Sequence, residues 1–530
     1  MRPEVAINSI CHGLLGREDR LGSPSSYFGG SRRSSLPLIS RRGSQVAKRD
    51  GKHHIIRMFA HGWNGWGRIV ALNLGILWIV STGVLAENRP NVLFIAIDDL
   101  NTRLGCYGFE HVRSPNIDRL ASEGVRFDRA YCQFPSCGPS RTSVLTGLRP
   151  SETGMLHNRM SFRDLAPDAV TLPQLFRANG YYVARVGKIF HQRVPLDIGT
   201  SGSDDPGSWD EVVNPIGRDR ADEDLLTIYT PQLGIADTMG YLKADGEDIE
   251  QTDGKVASES IRLLEERGAD PFFLAVGFYR PHIPYIAPKN YFDLYDLEDT
   301  RLPRLPEDYR ETVPAAALSS TPDWPNFYTT EEQAGECILA YEACVSFVDT
   351  QVGRVLAAID RLSLRDNTIV VLWGDHGYHL GEHGLWRKNS LYEESARAPL
   401  IFRAPGMEPN QSDCHRLVEF VDIYPTLADL AGIGIPEGLS GISLMPLLKN
   451  PQSEWNRPAY TQTLFLGAPG YSVRTDRWRY TEWGDEAEQG IELYDHQSDP
   501  KEMINLGDSE AHAKTRQGLR QLIAEKWPDR

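Results

Sequence analysis

Cysteine is scarce in this chain: seven occur in 530 residues, at Cys11, Cys106, Cys132, Cys137, Cys337, Cys344 and Cys414. They are too few and too scattered for a disulfide-built scaffold, so one bridge is permitted and none is required. Long apolar runs are as rare. Only residues 69–86 reach the roughly 18 residues that a membrane span needs. Basic residues are in deficit. The first 86 positions carry 12 Lys and Arg against 4 Asp and Glu, which leaves 44 against 68, a formal −24, on residues 87–530. Such a body lacks the basic face that nucleic-acid binding requires. Any anionic substrate must then be held by a local positive pocket. No internal repeat is visible, which excludes solenoids and propellers.

At this length the chain exceeds one ordinary core, and a large domain (87–455) with a smaller companion (456–530) is expected. Residues 1–57 are rich in Arg, Ser and Gly without an apolar period, and read as disordered or as preceding the true start. The apolar run that follows has Arg68 before it and Val84-Leu85-Ala86 behind it, the small-residue pattern of a signal-peptidase site. Counted from Met58 it makes a signal peptide over 58–86, with export to the periplasm or outside the cell. A retained membrane anchor is the competing reading.

Residues 91–97 (NVLFIAI) form a continuous β-branched and aromatic run, the pattern of a strand buried on both faces of a parallel sheet. It ends in Asp98-Asp99, and carboxyl ends of such strands are where open α/β sheets bind ligands. Further strands are expected at 125–131, 181–186, 271–278, 368–373 and 399–403, with helices at 117–123, 172–179, 256–266, 331–361 and 420–431. Gly180 is the expected cap after the second of these helices. Long loops fall at 195–222 and 299–327, candidates for a substrate-selecting rim. After about residue 455 short alternating strands (459–465, 471–480, 491–494) and a helix (513–526) predict a small antiparallel sheet with a packing helix.

Residues 132–147 read CQFPSCGPSRTSVLTG, and Cys137, Pro139 and Arg141 stand there as Cys-x-Pro-x-Arg. The Ser/Thr-rich run reads as the first turns of a helix, whose free N–H groups face anions. Asp98, Asp99 and Asp375 offer hard oxygen ligands, with His376 beside the third, a set that favours calcium or magnesium. Lys188, His191, His282 and Lys388 supply a cationic side suited to an anionic ester. His376, His379 and His383 do not read as a zinc cluster, because no cysteine lies near and the segment is broken by glycine.

From PNVLFIAIDD through CGPSR, GKIFH, RPHIPY and GDHGYHLGEHGLWRK to LYDHQSDP, the chain resembles the type I, formylglycine-dependent sulfatase family. It is most similar to the iduronate-2-sulfatase branch, through Asp375-His376, the Lys188-to-His191 spacing and RPHIP. The resemblance implies an α/β fold of the alkaline-phosphatase type: a large mixed, mainly parallel sheet flanked by helices, with the smaller C-terminal sheet. It implies that a separate maturase converts Cys137 to formylglycine, and that Asp98, Asp99, Cys137, Asp375 and His376 surround calcium, or magnesium as second choice. One hydroxyl of the hydrated aldehyde attacks sulfur while His282 protonates the leaving sugar oxygen, and the second expels sulfate. Arg141 and Lys188 hold the reacting groups in line, His191 orients or deprotonates the diol, and Lys388 binds sulfate. The expected substrate is a sulfated glycan, taken from its end at a 2-O-sulfated uronic acid. Three other functions stay open: a phosphodiesterase or phosphonate hydrolase of the same superfold, a non-catalytic binder of sulfated glycans, and a membrane-anchored structural protein, which only residues 69–86 support.

Overall fold

The computed structural model describes residues 89–407, 413–528 and 530. The expected leader at 58–86 and the segment 1–57 lie outside these residues.

The fold is built on an eight-stranded sheet: β1 (Asn91–Ile97), β2 (Val125–Tyr131), β3 (Tyr182–Gly187), β4 (Glu211–Val213), β5 (Phe272–Phe278), β6 (Thr368–Gly374), β7 (Leu400–Arg403) and β8 (Cys414–Glu419). Their order across the sheet is β8-β2-β7-β6-β1-β5-β3-β4. Every pair is parallel except the two made by β7, which runs against both β2 and β6. The carboxyl ends of β1, β2, β3, β5 and β6 therefore share one edge.

All seven residues of β1 are buried, which is why the strand is apolar throughout instead of alternating. Leu93, Ile95 and Ile97 enter a core shared with α1 (Pro115–Ser122), while Val92, Phe94 and Ala96 enter the opposite core with α2 (Cys137–Thr146) and α3 (Leu172–Ala178). The first core also takes α4 (Thr252–Arg267) and α5 (Glu331–Arg361); the second takes α6 (Ile423–Leu430). Helix α5 begins with a reciprocal cap: Gln333 N donates to Thr330 Oγ1 at 3.2 Å, and Thr330 N donates to Gln333 Oε1 at 3.0 Å.

The C-terminal part is an antiparallel sheet of β9 (Ala459–Phe465), β10 (Ala468–Arg474), β11 (Trp478–Trp483) and β12 (Gly490–Asp495), packed on α7 (Ala513–Lys526) through Val473, Tyr480, Leu493, Leu519, Ile523 and Trp527. The whole is the expected large mixed, mostly parallel sheet flanked by helices, with a smaller C-terminal antiparallel sheet.

Three local expectations are corrected. The strand at 471–480 is two strands, because Thr475-Asp476-Arg477 reverses the chain and Thr475 N bonds Trp478 O at 2.8 Å; alternation on both sides of the turn hid it. The helix at 420–431 opens as a 3-10 turn over Phe420–Asp422 before becoming α-helical. The loop at 195–222 contains β4 and the short helix Arg218–Ala221. Six cysteines are described and all are free thiols.

Candidate active site

Five strand ends and one helix start converge. β1 delivers Asp98 and Asp99, β6 delivers Asp375 and His376, β3 delivers Lys188, and β5 leads to His282; the segment after β2 ends in Cys137 at the first position of α2. Two glycines allow β3 and β5 to close together at this edge. A Cβ on Gly187, at φ +74°, would lie 2.2 Å from Gly277 O, and one on Gly277 would lie 2.0 Å from Lys188 O. Asp99 itself takes a left-handed φ of +60°, a conformation costing about 1 kcal/mol or more that persists where surrounding structure imposes it.

Arg141 spans the carboxylates, donating from Nε to Asp375 Oδ2 at 2.8 Å and from a terminal nitrogen to Asp98 Oδ1 at 3.1 Å. Lys188 donates to Asp98 Oδ2 at 2.5 Å. Lys388 donates to Asp99 Oδ1 and lies 3.1 Å from Cys137 Sγ. Cys137 Sγ stands 3.4 Å from His376 Nε2 and 3.8 Å from Asp99 Oδ1. His282 Nε2 is 3.8 Å from Asp99 Oδ2. The set is buried, and its least enclosed members are His191 and His282 at 7 % and Lys388 at 4 %, so these mark the mouth. A lysine like Lys388 read alone suggests a solvated side chain; here it lies inside.

Charge states follow from this packing. Burial would raise Asp98, but Lys188, His282 and Arg141 outweigh it and hold the carboxyl well below its usual range. Burial raises Asp99; Lys388 opposes, and the neighbouring Asp98 adds to the rise. Burial, then Asp98, push the Cys137 thiol well above its ordinary value, so it stays protonated at neutral pH and does not offer a thiolate. Burial, then Lys188, depress His191; burial, then Lys388, depress His282.

Some atoms have no partner. Asp99 Oδ2 and both ring nitrogens of His191 are buried and unbonded. Native proteins leave few such atoms, and each needs a ligand, a water or a reaction to account for it. The donors of Asp99, Cys137, Asp375 and His376 lie within 4.8 Å of one another, as do those of Asp98, Asp99, Cys137 and His282. His376 Nδ1 is 2.8 Å from Gly377 O; donating there, the ring turns an unprotonated Nε2 into the cluster. Two carboxylates lie against this nitrogen, Asp99 Oδ1 at 3.4 Å and Asp375 Oδ2 at 3.6 Å, and with Asp98, which clusters with Asp99 and Cys137, they offer oxygen donors that fit a hard divalent cation.

His379 and His383 stay out of the set. His379 Nε2 pairs with Ser390 Oγ at 2.6 Å, and His383 stacks on Tyr392 at 3.9 Å between centroids. His191 is tied through its carbonyl to Ser203 N at 2.9 Å, which brings the 195–222 loop to the mouth. The 299–327 loop packs on the segment leading to Lys388: Trp324 Nε1 donates to His383 O at 2.9 Å and Trp386 Nε1 to Pro325 O at 3.2 Å.

Sequence reading missed the support behind His282. Asp253 accepts from Tyr279 N and Arg280 N, both at 2.9 Å, and Asp219 accepts from Arg280 at 3.2 Å. The one signal available was Arg280 inside the RPHIP run already quoted for its histidine.

A family model described as Sulfatase matches residues 90–433, and one described as N-sulphoglucosamine sulphohydrolase, C-terminal, matches residues 381–528. The chain is 35 % identical over 453 residues to a sulfatase of Formosa agariphila, covering 82 % of this chain and 86 % of that one. It is 34 % identical over 529 residues to iduronate 2-sulfatase of Mus musculus, covering 83 % and 94 %. A solved structure in complex with its substrate D-glucosamine-2-N,6-O-disulfate superposes with a TM-score of 0.65 at 26 % identity, covering 83 % of this chain and 98 % of that one.

Proposed function

The chain belongs to the sulfatase family of sulfuric ester hydrolases, and on that premise we propose that it removes sulfate from the end of a sulfated glycan, with a 2-O-sulfated uronic acid as the favoured terminal residue. The observation that carries the reading is the place of Cys137: its Sγ lies 3.4 Å from His376 Nε2, 3.8 Å from Asp99 Oδ1 and 3.1 Å from Lys388 Nζ at the start of α2. Burial raises this thiol well above its ordinary value, which makes it a poor nucleophile as it stands. Conversion to formylglycine by a separate maturase resolves this. Hydrated, position 137 presents two hydroxyls: one forms the bond to sulfur as the sugar oxygen leaves, and the other re-forms the carbonyl as sulfate departs.

Asp98, Asp99, Asp375 and His376, with residue 137, would hold calcium, or magnesium as second choice. Bound there, the cation supplies positive charge against a sulfate oxygen and favours ionisation of a neighbouring hydroxyl. Arg141 keeps Asp98 and Asp375 apart at fixed positions, and Lys188 does the same for Asp98. Lys388, released from Asp99, faces the sulfate. His191, with two free nitrogens, orients the nucleophile or takes its proton. His282 donates from Nε2 to the leaving oxygen; its Nδ1 lies 2.6 Å from Ile283 O, which fixes the ring. Burial, then Lys388, depress this histidine, and an anionic ester beside Lys388 offsets the second of these and favours protonation.

The loops at 195–222 and 299–327 form the pocket wall in this reading. The −24 of residues 87–530 disfavours a long polyanion along an open groove, while repulsion at the rim is screened within about 8 Å at physiological salt. Residues 58–86 act as a signal peptide, and the mature chain, with its catalytic part to 455 and its C-terminal part from 456, works outside the cytoplasm. Among the described residues no helix is long and apolar enough to cross a membrane.

The test combines a mass spectrum of the Cys137 peptide from active enzyme with assays on defined oligosaccharides. The expected result is a peptide lighter than encoded, and sulfate release from the non-reducing end. An active enzyme with an intact thiol overturns the nucleophile. Equal release from internal residues overturns the pocket, and faster turnover of phosphonate or phosphate esters than of any sulfate ester overturns the substrate class.

A further inference from the structure

Beyond the groups that face the substrate, a second buried network stands directly behind His282. Arg280 is 2 % exposed and never reaches the reacting atoms. One terminal nitrogen donates to His282 O at 3.0 Å and to Pro284 O at 2.7 Å, while the other donates to Asp219 Oδ2 at 3.2 Å. The turn carrying His282 is thus wrapped around the guanidinium of its own neighbour.

The network is anchored on three sides. Asp219 lies in the 195–222 loop, and its other oxygen accepts from Thr252 N at 2.8 Å and Thr252 Oγ1 at 2.6 Å at the start of α4. Asp253 accepts the backbone N–H groups of Tyr279 and Arg280. Tyr279 donates its hydroxyl to Gln192 Oε1 at 2.7 Å, beside His191, and Gln192 donates to Thr200 O at 2.6 Å. A guanidinium suits this task because its planar fork meets two carbonyls and a carboxylate at once, which a lysine cannot do with the same geometry. Hydrogen bonds to a charged group are stronger than neutral ones, and buried ones hold position well.

We propose that Arg280 is a positioning residue for proton donation: with Asp219 it sets the backbone of His282 so that the imidazole Nε2 meets the leaving oxygen. This rests on the reading of His282 as the acid. The proposal makes a prediction that a merely structural role does not. An acid matters most when the leaving group is a weak acid such as a sugar alcohol, and least when it is a nitrophenol that departs unaided. Displacing the imidazole therefore costs turnover in proportion to leaving-group basicity, without a matching change in KM.

The experiment measures kcat and KM for a series of phenyl sulfates, from 4-nitrophenyl to unsubstituted, together with a 2-O-sulfated uronic acid disaccharide. It uses full-length matured enzyme with the changes Arg280→Met, Arg280→Lys, His282→Ala and the double Arg280→Met/His282→Ala. Arg280→Met is expected to lose about 10²-fold in kcat on the weakest leaving groups and less than about threefold on 4-nitrophenyl sulfate. Arg280→Lys should recover part of the loss, and the double variant should be no slower than His282→Ala. If Arg280→Met does not fold, Asp219→Asn loosens the same guanidinium and carries the same expectation. An equal loss on every ester, or a full additional loss in the double variant, overturns the proposal while His282 keeps its role. A flat leaving-group dependence in His282→Ala overturns the acid itself, and the two failures are thereby separate.

Discussion

Two of the buried charge clusters in the molecule are built to opposite rules. The first, around Asp98, Asp99, Asp375, Arg141, Lys188 and Lys388, is almost fully enclosed yet leaves Asp99 Oδ2 and both nitrogens of His191 without partners. The second joins the C-terminal sheet to the segment after Lys388. Arg479 donates to Glu502 at 2.5 Å and to Glu393 at 2.6 Å, Arg474 to Glu393 at 3.0 Å, His496 Nε2 lies 2.8 Å from Glu502, and Tyr131 donates to Glu393 at 2.9 Å. Backbone N–H of Glu393 completes it on Glu502 at 2.9 Å. None of the carboxylate oxygens of Glu393 and Glu502 is orphaned. Burial alone therefore does not distinguish these two clusters; the unfinished hydrogen bonding at Asp99 and His191 does, because an unpaired buried group is costly unless something binds to it.

The widest separation between the clusters is expected at Cys137. Cys137→Ala should remove activity by at least about 10⁴-fold, since it deletes the nucleophile, while the thermal midpoint moves little. Calorimetry and turnover on one preparation check both halves, and a large drop in midpoint would break the contrast.

Arg479→Met should do the reverse. Leaving Glu393 and Glu502 buried without their shared partner costs about 3–5 kcal/mol of stability, with kcat per folded molecule unchanged. Urea unfolding and active-site titration measure the two quantities; a loss of kcat matching the loss of stability would join the clusters functionally.

Asp99→Asn comes next. It removes a carboxylate that crowds against Asp98 and Asp375, so metal and activity should fall together, activity by about 10³-fold. Stripped of metal, the variant should unfold no earlier than wild type. Elemental analysis with melting in chelator decides it, and stoichiometric zinc in active enzyme would contradict the calcium assignment.

The smallest effect is in pH. Burial alone would raise Glu502, but Arg479 and His496 outweigh it and pull it from 4.5 to about 2. A depressed carboxyl contributes stability that is present above its unfolded value and is lost as protons bind the folded form. Stability from this group should thus be flat above pH 4.5 and decline as pH falls from there towards 2. Urea midpoints across that window should show the decline, and Glu502→Gln should flatten it; a decline beginning near neutrality would point to another group.

Much of the architecture could be read before any coordinates. The apolar run of β1 required burial on both faces, and Asp98-Asp99 behind it marked the ligand edge. Gly374-Asp375-His376 behind β6 and Gly187-Lys188 behind β3 repeated that signal. Helix α5 was legible over its full length, although its Thr330–Gln333 cap was not read. The second cluster was not, since Glu393 and Arg479 are 86 positions apart and ion pairs at that separation leave no local period. The turn at Thr475-Asp476-Arg477 was hidden for a related reason: alternation does not say where a hairpin reverses.

By itself, then, the amino-acid order determined which residues stand at the ends of parallel strands, because strand length and apolar patterning are local and a parallel sheet brings its carboxyl ends to one edge. Tertiary structure alone decided what those residues become. It sent His376 into the carboxylate cluster and His379 and His383 into packing, although the three lie within eight residues. It drew Lys388 from an ordinary surface lysine into the interior, enclosed the Cys137 thiol completely, and placed Arg280 behind His282. Each outcome depends on burial and on partners far away in the chain, and those fix a side chain's charge and reach only once the core has closed around it.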